Sequence, residues 1–163
     1  MKASKYINGF TLIEVMIAVI LVGLAIASLV GANSAFTQAN GAGTDLSTAE
    51  FLLEQIKELT ATLSVADPET GYATFGPETG ETLATYDDLD DFDNKDFSPP
   101  IDAARNTLTN FDAYSQQVIV QNVNQSDFEQ VATDKTTNFV RVTVKVLKNS
   151  VELCSASWLR AKY

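Results

Sequence analysis

Apolar positions fall into three regimes along the chain. From Phe10 to Val30 they are almost continuous, and Val15–Val30 contains no charged residue. That run approaches the roughly 20 residues a helix needs to span a bilayer. After Gly31 the chain turns polar, with Asn33, Ser34, Thr37, Gln38 and Asn40 before Gly41-Ala42-Gly43. This triplet predicts either a helix end or a flexible joint in a longer helix. A restart at Thr44 or Ser47 fits, because Ser47-Thr48-Ala49-Glu50 matches a capping box. Gly23 and Gly31 are softer points, since glycine weakens a helix by about 1 kcal/mol relative to alanine. Leu46, Ala49, Leu53, Ile56 and Leu63 then form one helical stripe, with Glu50, Glu54, Lys57 and Glu58 mainly off it. Asp67-Pro68 is the expected stop.

The remainder reads as loop and then sheet. Residues 67–112 are rich in turn formers and acids, so mostly irregular structure is expected. Gly71-Tyr72 to Phe75 and Thr82 to Tyr86 read as short strands or loop, and Ser98-Pro99-Pro100 as a rigid extended piece. Tyr114–Val123 is rich in β-formers. In Thr137–Leu147, Val140, Val142, Val144 and Val146 alternate with Arg141, Thr143 and Lys145, the period of a half-buried strand. Lys148-Asn149-Ser150 reads as a turn and Val151–Trp158 as a return strand. The fold class is therefore α+β, with the N-terminal helical stripe packed on a C-terminal antiparallel sheet. No internal repeat is evident.

Charge adds direction. The 163 residues carry a net charge of -10. The first nine residues contain Lys2 and Lys5 and no acid, the apolar run contains only Glu14, and everything else lies in a strongly acidic body. Basic residues before the span and an acidic body after it predict a cytoplasmic N-terminus and an exported C-terminal body. An acidic body repels phosphates, which disfavours nucleic acid as a partner.

No catalytic constellation emerges. Histidine is absent, which removes the commonest general base and metal ligand. The single cysteine, Cys154, has no partner within the chain and reads as a small core residue.

The first thirty residues admit three readings. Ala25-Ile26-Ala27 offers a signal-peptidase site, but the apolar core is long for a signal peptide and holds an acid. A plain signal anchor would treat Glu14 as an accident near the membrane edge. The third reading uses the charge. The stretch Gly9-Phe10-Thr11-Leu12-Ile13-Glu14 closely resembles the processing site of type IV pilin precursors and type II secretion pseudopilins. The resemblance implies a short basic leader at 1–9 and a cut between Gly9 and Phe10. A prepilin peptidase/methyltransferase would make that cut and methylate Phe10. It also implies a transmembrane and filament-core helix at 10–31, its amphipathic continuation at 32–66 and an exported head at 67–163. On an unbroken helix Glu14 would stand about 6 Å along the axis from Phe10. The family pattern pairs this acid with the Phe10 amine of a neighbouring subunit during filament assembly. Many relatives carry proline where this chain has Gly31, so a proline kink is not expected.

The stretch Tyr86–Asp96, YDDLDDFDNKD, holds six aspartates. Aspartate supplies the hard oxygen ligands that calcium prefers, making Asp87, Asp88, Asp90, Asp91 and Asp93 candidate calcium ligands. The EF-hand spacing fails, because Phe92 occupies the third ligand position and no glycine follows. The plainer reading is a solvated acidic loop with Leu89 and Phe92 tucked inward. The stretch also resembles a DD-x-DD-aromatic segment of some minor pilins of mannose-sensitive haemagglutinin type pili.

These readings converge on a non-enzymatic filament subunit, a minor pilin or pseudopilin. No cofactor is required, and calcium is the ion the acidic stretch suits. The implied partners are the processing enzyme, other pilin or pseudopilin subunits and an inner-membrane assembly platform. The implied location is the bacterial inner membrane, then a periplasmic or surface filament. The rival is a monomeric membrane-tethered binding module with a calcium-binding loop.

Overall fold

A computed structural model describes residues 9–68 and 75–162. The leader residues 1–8, and most of the segment read as strand or loop at 71–75, lie outside the described residues. The elements are α1 (Leu12–Ala61), two single-turn 3-10 helices at Asp90–Phe92 and Thr109–Phe111, and five strands. These are β1 (Lys95–Phe97), β2 (Tyr114–Asn124), β3 (Asp127–Val131), β4 (Phe139–Lys148) and β5 (Val151–Ala161).

The chain divides into two compact units between Gly43 and Thr44. In the first, Leu12–Val30 is helical and exposed throughout, with Leu12 80% and Leu29 70% accessible. It is long and apolar enough to cross a membrane. Apolar side chains all round a helix mark a segment whose natural surroundings are lipid or other helices rather than water.

The helix continues through Gly41-Ala42-Gly43 without a break. The capping role expected of Thr44 or Ser47 is therefore unused, and Thr48 Oγ1 instead donates to the Thr44 carbonyl at 2.9 Å. The reason lies in the ladder. Two interior glycines cost about 2 kcal/mol together, whereas a break would leave up to four carbonyls unpaired before it and four amides after it. No proline-type kink point interrupts Gly31 either.

In the second unit, helix residues from Thr44 onward bury Ala49, Leu52, Leu53, Ile56, Leu59 and Thr60 against the sheet. The expected stripe holds at its centre and shifts at its ends: Leu46 is 43% exposed, and Leu52 and Leu59 join the core. The helix ends at Ala61, before the Asp67-Pro68 stop. Thr62 Oγ1 bonds back to the Leu59 carbonyl, and Arg160 of β5 takes the Thr60 and Leu63 carbonyls at 2.7 and 3.0 Å. A guanidinium there satisfies orphan carbonyls and complements the negative end of the helix.

The sheet is antiparallel, ordered β1-β2-β4-β5, with β3 also paired to β2. β4 runs as the alternation predicts, with Val140, Val142, Val144 and Val146 buried and Arg141, Thr143 and Lys145 outward. The β4–β5 hairpin closes on Asn149 and Ser150, both with positive φ (49° and 67°). Two successive left-handed residues in a two-residue loop match the twist of the strands they join. β1 and β3 do not show in the apolar pattern. β1 is three residues long, and all five residues of β3 are exposed. Cys154 sits half-buried against the core rather than within it, and burial pushes its thiol pKa up.

Gln116 ties three layers together. Fully buried, it donates to the Leu52 and Ile101 carbonyls at 2.8 and 3.1 Å and accepts from the Ile101 amide at 2.8 Å. Helix, sheet and the 100–108 loop thus share one amide side chain.

Candidate functional site

Two regions carry chemistry. The first is the start of the helix. Gly9–Thr11 is not helical, and Gly9 and Phe10 are exposed, Phe10 by 88%. Phe10 therefore precedes the helix rather than occupying its first turn. The axial spacing expected between Phe10 and Glu14 does not describe this geometry. The cause is local: Thr11 caps the helix. Its amide and hydroxyl donate to Glu14 Oε2 at 2.7 and 2.8 Å, and its Oγ1 accepts from the Glu14 amide at 3.3 Å. This is a reciprocal capping box, and the sequence reading missed the part Thr11 plays in it. Phe10, Glu14, Ala18 and Val22 line one shallow groove along this segment.

The second region is the acidic loop. Leu89 and Phe92 are fully buried, as the plainer reading expects. Three of the acids are not solvated, which corrects that reading in part: Asp88, Asp90 and Asp91 are 2%, 4% and 0% exposed, while Asp96 is exposed. Each has a local use. Asp88 Oδ1 accepts from the Asp90 and Asp91 amides, and Asp91 Oδ2 accepts from the Asp87 amide at 2.9 Å and the Asp88 amide at 3.3 Å. Asp90 Oδ2 accepts from the Gly76 amide and faces Lys135 Nζ at 3.5 Å. Asp93 Oδ1 accepts from the Val120 amide of β2. Asp87 is half-buried. The carboxylates thus point to different neighbours instead of converging on one point.

Loop backbone is held by Arg105, whose guanidinium donates to the carbonyls of Leu83, Ala84 and Tyr86 and lies 5.9 Å from the Phe92 ring centre. The sequence reading did not single out Arg105, Glu78 or Glu81. One carboxylate oxygen from each of Glu78, Glu81 and Asp91 lies within 4.8 Å of the others. Crowding and burial act on the acids together. Burial is the main cause pushing Asp88 up to about 8, Glu78 up to about 7 and Asp91 up to about 6, and like charges nearby add to it.

Against known families, residues 4–30 match the model described as the prokaryotic N-terminal methylation motif. The N-terminus carries a methylation motif. The matched span includes Gly9, Phe10 and Glu14 and ends with the apolar run. The motif supports a type IV pilin-like kinship, in a group whose members are generally structural. No curated protein and no solved structure gives a significant match to the chain.

Proposed function

We propose that this chain is the precursor of a filament subunit, a type IV pilin-like or pseudopilin protein. The observation that carries the reading is the methylation motif at residues 4–30 on a helix whose apolar surface is exposed on every side. In this reading the processing enzyme cuts between Gly9 and Phe10 and methylates the new Phe10 amine. The span from Phe10 to Val30 first anchors the precursor in the inner membrane, with the N-terminus cytoplasmic and the head exported. An assembly platform then moves it into a filament with other subunits. The acidic DD-x-DD-aromatic stretch favours a minor subunit.

Glu14 is the assembly residue in this reading. In the isolated chain its carboxylate is held by Thr11. Within lipid or a packed helix core, an unpaired charge costs about 2.5–3.5 kcal/mol on insertion scales. A neighbour's Phe10 amine supplies the compensating cation. A subunit docked out of register leaves both charges unpaired, which disfavours wrong packing.

Mass spectrometry of the protein from its own host tests the processing step. The expected N-terminus is methylated Phe10; an intact Met1 or a start at Ser28 overturns the reading. Glu14→Ala tests assembly. The variant should insert in the membrane and fail to enter filaments, whereas a monomeric tethered module would be indifferent to the change.

A further inference from the structure

The acidic loop holds a feature that filament assembly does not use. Glu78 and Glu81 flank the turn at Gly80, where φ is 101° and the Glu81 amide donates to the Glu78 carbonyl. Asp91 comes from the 3-10 helix at Asp90–Phe92. The three carboxylates meet within 4.8 Å. Asp91 is fully buried; its Oδ2 is occupied by the Asp87 and Asp88 amides, while its buried Oδ1 has no hydrogen-bond partner. Among the described residues no lysine or arginine forms an ion pair with any of the three. The nearby cation, Lys135, faces Asp90 instead.

A buried acceptor whose lone pair meets no donor is expensive, and three close carboxylates are more so. A bound cation removes both costs at once. We propose that Asp91, Glu78 and Glu81 form a calcium site that fastens the Gly76–Glu81 segment to the 3-10 helix.

The donor set is all oxygen and carries up to three negative charges, which suits a hard divalent ion. Size favours calcium. Ligand oxygens at 2.3–2.6 Å from an ion stand up to about 5 Å apart, so the three found here fit around one calcium. Magnesium holds its ligands at about 2.0–2.1 Å and rarely gives up its waters to an all-protein cage. Of the candidate run, Asp91 is the aspartate whose carboxylate joins this cluster. Asp88, Asp90 and Asp93 serve other backbone amides or Lys135, and within the cluster Glu81 Oε2 also accepts from the Glu78 amide at 2.9 Å.

Calorimetric titration of the full-length protein in detergent, freed of metal by chelation, tests the site. One calcium per chain is expected, with a rise in Tm that magnesium at equal concentration does not match. Asp91→Asn and Glu81→Gln should each weaken calcium binding by about tenfold or more, the scale of losing a ligand or its support. Asp96→Asn, an exposed acid of the same run outside the triad, should leave it unchanged. If Asp91→Asn does not fold, Glu78→Gln at a half-buried position gives the same readout. No binding at millimolar calcium, an equal response to magnesium, or equal affinity in the triad variants and Asp96→Asn overturns the proposal. The site stands apart from filament assembly: a chain that binds calcium but is never processed at Gly9 would refute only the proposed function.

Discussion

Asp45 Oδ1 lies 2.7 Å from Lys148 Nζ, joining the helix to the end of β4 across 103 positions of sequence. Tyr114 of β2 donates its hydroxyl to the same oxygen at 3.0 Å. Lys148 chiefly, then Tyr114, holds the Asp45 carboxyl below its usual pKa, and Asp45 in turn raises Lys148. The two shifts bound a pH window. Asp45 contributes stability above its unfolded pKa of about 3.9, and loses it as pH falls through the lowered folded value. Lys148 contributes below its unfolded pKa of about 10.4, and loses it as pH rises through the raised folded value. Asp45→Asn should lower the denaturation midpoint at pH 7, and the difference from the parent should vanish in strong acid. Both side chains are about one-third exposed, so added salt should shrink the effect.

Gln116→Leu removes three buried hydrogen bonds and leaves the Ile101 amide without its acceptor. An unsatisfied buried donor costs about 1–3 kcal/mol. Urea unfolding of the detergent-solubilised chain should show a loss of that size. Hydrogen exchange should accelerate at Ile101.

Arg160→Ala strips the Leu63 carbonyl of its guanidinium donor and leaves the Thr60 carbonyl only the long bond from the Leu63 amide at 3.4 Å. The loss should be about 1 kcal/mol, because water can replace part of what is removed. Hydrogen exchange should speed up over the last helical turn before Ala61 while the β4–β5 ladder stays protected.

Two identical substitutions should separate the halves of the helix. Leu52 is fully buried, so Leu52→Ala should destabilise the head by about 2–5 kcal/mol. Leu29 is 70% exposed, so Leu29→Ala should leave head unfolding unchanged. Under the proposed function its effect should appear only as weaker retention in membranes or filaments.

Thr11→Ala removes the capping partner of Glu14 and should cost the helix start about 0.5–2 kcal/mol. Circular dichroism in detergent should register fraying at the N-terminal turn. Thr11→Ser should restore it.

What the order of residues determined by itself is whatever depends on neighbours in sequence. The uncharged run from Val15 to Val30, the alternation of Val140 to Val146, the turn at Asn149-Ser150 and the methylation motif over residues 4–30 are all of this kind. Each reflects a period or a local steric rule, so each is readable without knowing what lies across the fold. Tertiary structure decided the rest. It ended the helix at Ala61, because Arg160 arrives there from a strand 100 positions away. It recruited β3, whose exposed residues leave no alternating trace. It also dispersed the aspartate run, turning Asp90 to Lys135 and Asp93 to Val120. Glu78 and Glu81 met Asp91 from outside that run. The physical reason is that charge density along a chain records composition, whereas a ligand cluster requires convergence in space. Convergence here is set by the burial of Leu89 and Phe92, which drags their acidic neighbours inward.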